Sequence, residues 1–496
     1  MDESQNVVFT RVQSAAIDGR MKTLRIRQRL FQSLSKNLVQ YRDAFLEATQ
    51  IDDGCSKHEA QITFAASLIE LRNHYNALNL KTDLELEYSV AKGKGNEARR
   101  VPIDITYIIP DSFAVLFSVL SALSAVIEAG SCAVVELENT VQKIPALLRR
   151  CISESLDQDA IGVVSSRASA DFLSKCVVVD PAQKLASTEI SSSHRILSSP
   201  ISQNIAVVDR TADVQIAAEE VVASRLAFGG RSRYAVDIVM VNEFHAGELT
   251  KAVIQAMERY QATANETETS IRSKSFKSSS RTLDNAAIDK EVRSKKAKVV
   301  YGNSETGIVE ILDRTSSLLH RKSSARVLML SQFSSLDDVI DVFSSESQKP
   351  SVGALYLFAA PREAKYLSQY IPSQASFVNH IPAQLLVGPT VPQGYPISLA
   401  IRYSRAMFEY PSPQITPNAR THLASKILND PTQAAFLLSV AQKPLKPTGQ
   451  EPPGAWGFFE QGMILSAFVY LLPIVGVSLF GIGYAGLFGY RKVFSP

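Results

Sequence analysis

From Gln461 to Tyr490 the chain carries no charged residue, and Arg491 and Lys492 follow at once. A membrane-crossing helix needs about 18 or more apolar residues in a row, and this run is longer. Backbone in lipid must satisfy its own hydrogen bonds, so helix is the expected state throughout. Pro473 divides the run, which leaves a kinked single span and a shallow re-entrant hairpin both open. A buried core helix fits poorly, because the segment is terminal, too long, and rich in glycine and aromatics. The residues upstream are therefore expected to form a soluble body held at a membrane by a C-terminal anchor, with lipid as a partner. Met1 to Thr10 is polar, with no cationic, apolar leader, which puts the body on the cytosolic side.

That body has ordinary globular composition, 45% hydrophobic and 20% charged, enough for two or three domains in 496 residues. A net charge of +3 gives no argument for nucleic acid. The one basic stretch, Arg272 to Lys298, is laced with serine and broken by Asp284, Asp289 and Glu291, so it reads as a solvated surface loop in preference to a phosphate or lipid-headgroup patch. Cys55, Cys132, Cys151 and Cys176 lack paired spacing and point to a reducing compartment without disulfides. Cys132 and Cys176 fall at strand edges, where a small buried apolar residue is the ordinary role. The histidines (His58, His74, His194, His245, His320, His380 and His422) show no metal-binding spacing.

Hydrophobic periodicity predicts a helix over Arg20–Ile51, built on Leu24, Leu30, Phe31, Leu34, Leu38, Phe45 and Leu46, and another over Ala60–Leu78. A strand is expected at Leu84–Val90. Then strands at Ile103–Ile109, Cys132–Val135, Ile161–Val164 and Cys176–Val179 alternate with helices at Phe113–Ala129, Val141–Leu156 and Ala168–Ser174. Gly130 is placed to end the first of those helices. Such alternation predicts a doubly wound parallel sheet. A second α/β series runs from Ile205 to Tyr410, and Lys443–Gly457, rich in Pro, Gly and Gln, reads as a linker into the tail.

Several segments, in order, resemble the aldehyde dehydrogenase superfamily, especially its shorter, membrane-tailed fatty-aldehyde branch. Ile108-Ile109-Pro110-Asp111-Ser112-Phe113 is similar to the family's "PWNYP" segment, and Ala125–Val135 to "AIAAGNxVVLKPSE". Asn204–Val222 resembles the "PAIVD–ADL–AA" join, and Lys349–Ala359 the branch's "KPLALYLFS". Phe377-Val378-Asn379 and Met407-Phe408 fall at the family's "xIN" and closing "F". The resemblance covers residues 20–425 and implies an aldehyde-dehydrogenase-like α/β fold: a dinucleotide-binding-like domain over 20–209, a catalytic-like domain over 210–404, an arm and linker over 405–457, and the membrane segment 461–490. It also implies a homodimer, with extended arm strands at Leu84–Val90 and Ile397–Arg402 pairing with each other or with a second subunit.

Fold does not carry function with it; the chemistry rests on individual positions. The family's reaction needs a thiolate nucleophile, oxyanion donors and a carboxylate base. Aligning Ala235 and Asp237 with the family's "APD" puts Arg233 at the nucleophile position, and a guanidinium cannot attack. A one-residue shift offers Ser232 or Tyr234. The oxyanion-holding Asn corresponds to Ser112, whose hydroxyl reaches less far. The base Glu corresponds to Ser199, in a stretch without a carboxylate. The ribose-holding Lys corresponds to Glu136, a reversal of charge. The phosphate turn needs small residues for close backbone approach, yet no glycine occurs from Val163 to Phe228, and Asp180 follows Val179.

Two readings of function result. In the first, a membrane-anchored aldehyde-dehydrogenase-like protein lacks the standard Cys, Glu and NAD-binding residues and serves as a pseudoenzyme, scaffold or binder of an apolar small molecule. In the second, an NAD(P)-dependent oxidoreductase converts a long-chain or isoprenoid aldehyde to its acid beside the membrane.

Overall fold

The computed structural model describes residues 3–185, 195–267, 279–303, 306–344, 352–416, 424–446, 449 and 457–494. The chain divides into two compact units, Met1–Pro417 and Asn418–Pro496. In the first unit, helices α1 (Glu3–Ile17), α2 (Leu24–Gln40), α3 (Arg42–Asp53), α4 (Lys57–Ala77) and α5 (Leu80–Glu87) precede strand β1 (Arg100–Pro102). A first alternation follows: β2 (Ile105–Ile108), α6 (Val115–Ala129), β3 (Cys132–Glu136), α7 (Lys143–Ser155), β4 (Ile161–Val164), α8 (Ala170–Leu173), β5 (Val177–Asp180) and β6 (Arg195–Leu197). The second contains β7 (Gln203–Val208), α9 (Val214–Leu226), β8 (Ile238–Asn242), α10 (Ala246–Thr267), α11 (Ser279–Arg293), β9 (Ala297–Gly302) and β10 (Thr306–Ile311). It continues through β11 (Arg326–Phe333), α12 (Leu336–Ser344), β12 (Val352–Phe358), α13 (Pro361–Tyr370) and β13 (Ser373–Val378), and β14 (Glu409–Pro411) closes the unit.

The first alternation forms the expected parallel sheet, in the order β4-β3-β2-β5-β6. Its inner strands β2 and β3 are short apolar runs buried on both faces, which is the pattern of a helix-covered parallel sheet. Chain order reverses between β2 and β5, and open α/β sheets bind ligands beyond the carboxyl ends of the strands at such a reversal. The second sheet, β13-β12-β7-β8-β11-β10-β9, is parallel except for β9. One core joins the five-stranded sheet to α1, α2 and α6, and two others cover the faces of the seven-stranded sheet. All of α6 is buried, in keeping with a helix apolar all round.

Four expectations need correction. Leu84–Val90 is not a strand: its first residues end α5, whose start is capped by the Asn79 side chain accepting from Thr82 N at 3.2 Å. Ile397–Arg402 is irregular, because Arg402 is committed to the carbonyls of Gln384, Val387 and Pro389 and its N–H to Glu70. The arm ladder instead pairs β1 with β14, antiparallel, with Val101 opposite Tyr410. The helix expected over Arg20–Ile51 is broken at Tyr41 into α2 and α3, and a further helix, α1, precedes it and buries Phe9, Val12 and Ala15. The basic stretch is no loop over its described part: α11 buries Ile288, and Asp284 and Glu291 accept hydrogen bonds from Arg321, Ser324, Ser316 and Ser317. Residues 272–278 of that stretch lie outside the described residues, as do 447–448 and 450–456 of the expected linker.

The second unit contains α14 (Ala424–Leu428), α15 (Pro431–Ala441) and α16 (Phe458–Phe494). Pro473 lies inside a continuous α16 and not at the apex of a hairpin. Among the described residues, Glu460–Gly483 is the one helix long and apolar enough to cross a membrane.

Candidate functional site

Arg233 sits between a tight turn at Ala227–Gly230 and β8. Phe228, Gly229 and Gly230 of that turn all have positive φ, and a Cβ on Gly230 would meet the Ala325 carbonyl oxygen at 2.9 Å. The turn is fixed from below by Arg225, fully buried, which donates to Gly230 O, Ser323 O, Val236 O and Asp237. Asp237 also takes Lys322 at 3.1 Å and the N–H groups of Asn204 and Ser323. The Arg233 carbonyl accepts from Lys322 and from Asn204. The backbone that presents residue 233 is thus held on every side.

The Arg233 side chain reaches across to the loop that leaves β2. Its Nε donates to Asp111 Oδ2 at 2.8 Å and its Nη2 to Asp111 Oδ1 at 2.5 Å. Asp111 is 1% exposed and Arg233 25%. Burial pulls the Arg233 pKa down, but the Asp111 charge and hydrogen bond outweigh it, leaving it above the ordinary value. Asp111 also accepts from Phe113 N and Ser112 Oγ. The structure therefore brings Arg233 and Ser112 together through a residue whose part in the site the sequence reading missed. Nothing in spacing marks Asp111 as the partner, since the two are 122 positions apart.

The alternatives at the nucleophile position are occupied too. Ser232 is buried and accepts from Tyr234 N, while the buried Tyr234 hydroxyl accepts from Val391 N, and burial raises its pKa. Ser199 accepts from Gln393 and lies next to Ser198, which donates to Thr390 O. Glu136 ends β3, 3% exposed, bonded to Tyr107 OH at 2.8 Å and to Arg167 Nη2 at 3.1 Å. Asp180 ends β5, fully buried; it accepts the N–H groups of Lys184 and Leu185, both at 2.9 Å, and Arg195 Nη2 at 3.2 Å.

These last contacts test the fit of a dinucleotide. A pyrophosphate needs free backbone N–H donors and a cation near the carboxyl ends of the strands. Here a carboxylate of the chain itself takes the donors after β5, and the cations Arg167 and Arg195 are spent on Glu136 and Asp180. The residues present do not fit the family's nucleotide.

None of the four thiols stands in as a nucleophile. Cys132, Cys151 and Cys176 are buried, and burial pushes each up to about 12. Cys55, half-buried, donates to Thr49 O, and burial, Asp53 and Glu59 raise its pKa. Asp53 itself, buried 3.9 Å from Arg231, is pushed up to about 6 by burial, with Arg231 opposing. Arg231 in turn lies over the Phe113 ring at 5.7 Å. A separate cavity of about 560 Å³ opens where the start of α4 meets α9 and α10, walled by Glu59, Val222, Leu226, Ala256 and Tyr260 among others. Arg233, Ser112, Ser199 and Glu136 do not line it.

The model of the aldehyde dehydrogenase family matches residues 10–343. A 4,4'-diaponeurosporen-aldehyde dehydrogenase of Staphylococcus aureus is 21% identical, over 72% of this chain and 80% of the relative. The substrate-bound state of Staphylococcus aureus AldH is similar in structure with a TM-score of 0.67 at 17% identity, covering 89% of this chain and 99% of that one. The aldehyde dehydrogenase KauB from Pseudomonas aeruginosa gives a TM-score of 0.66 at 12% identity, covering 83% and 88%. At these identities the structural likeness establishes the fold alone.

Proposed function

The chain belongs to the aldehyde dehydrogenase family, and we propose that within it this is a membrane-tethered member without dehydrogenase chemistry, acting as a scaffold or a binder of an apolar small molecule. The observation that carries this reading is the Arg233–Asp111 pair. A family enzyme needs at that place a thiolate able to attack a carbonyl carbon, and a nearby carboxylate to activate water. A guanidinium offers only N–H donors, and Nε and Nη2 of Arg233 are bound to Asp111. The serine at position 199 adds no base. With Glu136 and Asp180 each holding an arginine where a cofactor would need donors, three separate requirements of the reaction lack their groups. The cavity beside α9 and α10, of a size that holds small molecules and apolar over much of its wall, supports the binding role.

A second reading, an NAD(P)-dependent oxidation of a long-chain or isoprenoid aldehyde to its acid, is favoured by the staphylococcal relative, named for an aldehyde of that kind, and by the apolar helix. One experiment separates the two. Purified full-length protein in detergent micelles is titrated with NAD and NADP by calorimetry and then assayed for reduced cofactor with a panel of apolar aldehydes. The first reading expects no binding heat and no turnover; saturable binding with turnover establishes the second.

A further inference from the structure

We propose that α15 is a second lipid-contacting element, lying in the interfacial zone of the leaflet that α16 enters; this rests on the membrane-anchor reading of α16. The start of α15 is specified locally: Pro431 occupies its first turn, and the Asp430 side chain accepts from Thr432 N at 2.9 Å and Thr432 Oγ1 at 2.6 Å. Beyond Gln433 the helix reads Ala-Ala-Phe-Leu-Leu-Ser-Val-Ala, so Ser439 alone interrupts an apolar surface that runs around most of the circumference. Phe436, Leu437, Leu438 and Val440 are 62%, 50%, 58% and 43% exposed. A helix apolar on nearly all sides does not stand in water, and one of 11 residues is too short to persist there alone. At about 1.5 Å per residue it is also far too short for a hydrocarbon layer of about 30 Å.

Charge and connectivity select the occupant. No acidic residue occurs between Asp430 and Glu451, while Lys443 and Lys446 follow the helix, exposed, as headgroup partners would be. The same compact unit holds α16, which starts at Phe458, so the chain returns to the bilayer a short distance on. A short helix apolar on nearly all sides, followed by two lysines and joined through a short connection to a span, fits contact with lipid in chemistry and in reach.

The chain has a single tryptophan, Trp456, which makes the test direct. Full-length protein carrying Trp456→Phe and Leu438→Trp is reconstituted in phosphatidylcholine vesicles with and without phosphatidylserine, floated on a gradient, and read by emission wavelength and by quenching with acyl-brominated lipid. The expected result is blue-shifted emission quenched by the shallow-brominated lipid. Phe436→Trp in place of Leu438→Trp should behave alike, whereas Phe244→Trp, at a 77% exposed position of the first unit, should give no quenching. Adding Lys443→Glu and Lys446→Glu should weaken quenching in phosphatidylserine vesicles without releasing the protein. Floated Leu438→Trp protein whose emission is red-shifted and unquenched overturns the proposal and leaves the anchor standing. Emission that is blue-shifted but unquenched overturns it in favour of a protein partner. Protein that does not float overturns both.

Discussion

Arg233 and Asp111 join the turn before β8 to the loop after β2 by two nearly parallel hydrogen bonds, 2.8 and 2.5 Å long. The pair belongs to a pattern. Adjacent strands β3, β2 and β5 each lead at their carboxyl ends to a buried acid, Glu136, Asp111 and Asp180, and each acid is clamped by an arginine, Arg167, Arg233 and Arg195. In an open α/β sheet this edge is where ligands are met. Here it is closed by internal ion pairs. On the proposed reading, structural pairing takes the place of the donors a cofactor and a reacting aldehyde would require.

The two members of the central pair should not be equivalent. Arg233→Met leaves Asp111 buried without its cation and should cost about 3–5 kcal/mol, as removing one partner of a buried pair does. Asp111→Leu leaves an arginine that can reach water and should cost less, about 1–2 kcal/mol. The double variant should recover part of the larger loss. Denaturant unfolding of the detergent-solubilised proteins checks the order; equal losses would mean the pair is not the determinant.

Restoring the family's residues singly or in a pair should not restore chemistry. Glu136→Lys places an ammonium against Arg167 and removes the acceptor of the Tyr107 hydroxyl, so the melting temperature should fall and no NAD binding should appear. Arg233→Cys with Ser199→Glu should likewise yield no NAD-dependent activity, since Glu136 and Asp180 still hold the cofactor edge. Measurable reduced cofactor from the double variant would show that the cofactor edge is more open than these ion pairs indicate.

The elements of the first alternation from β2 to β5 were legible because each apolar run has a single period and a clear stop, as at Gly130 after α6; β6, only three residues long and opened by Arg195, was not. The arm was not. Leu84, Leu86 and Tyr88 alternate as a strand would, and only the Asn79 cap and a run of helix-forming Leu, Lys and Glu tip the segment to helix. Aligning motifs singles out Arg233, Ser112, Ser199 and Glu136, but it says nothing of their partners in the fold. Arg167 lies 31 positions from Glu136 and Asp111 lies 122 from Arg233, separations that tertiary folding alone brings together.

Asp53 should give stability a visible pH dependence. Its pKa is raised from 3.8 to about 6, chiefly by burial. A carboxyl raised on folding binds more protons in the folded state, so its contribution is fully present below about pH 4 and is lost as pH rises through about 6. The effect is on the order of 1–3 kcal/mol. Asp53→Asn should therefore raise the melting temperature at pH 7.5 and change it little at pH 4. A gain that is the same at both values would assign the effect to packing and not to ionisation.

Deleting Gly462–Pro496 should convert the protein from membrane-pelleted, carbonate-resistant material into a soluble form with an intact α/β body. The body, Met1–Pro417, is a compact unit whose cores are drawn from its own residues, so it does not depend on α16 to fold. The side chains described along α16 are almost all exposed, Phe480 at 82% and Val477 at 75% among them, which leaves lipid as what would bury them. Each buried methylene contributes about 0.8 kcal/mol, and a helix of this composition should not exchange into water. Residual vesicle association of the truncated chain, sensitive to salt and to Leu438→Glu, would be the share supplied by α15. Full-length protein that stays in the supernatant after high-speed centrifugation without detergent would remove the anchor, and with it the argument for a lipid-borne ligand.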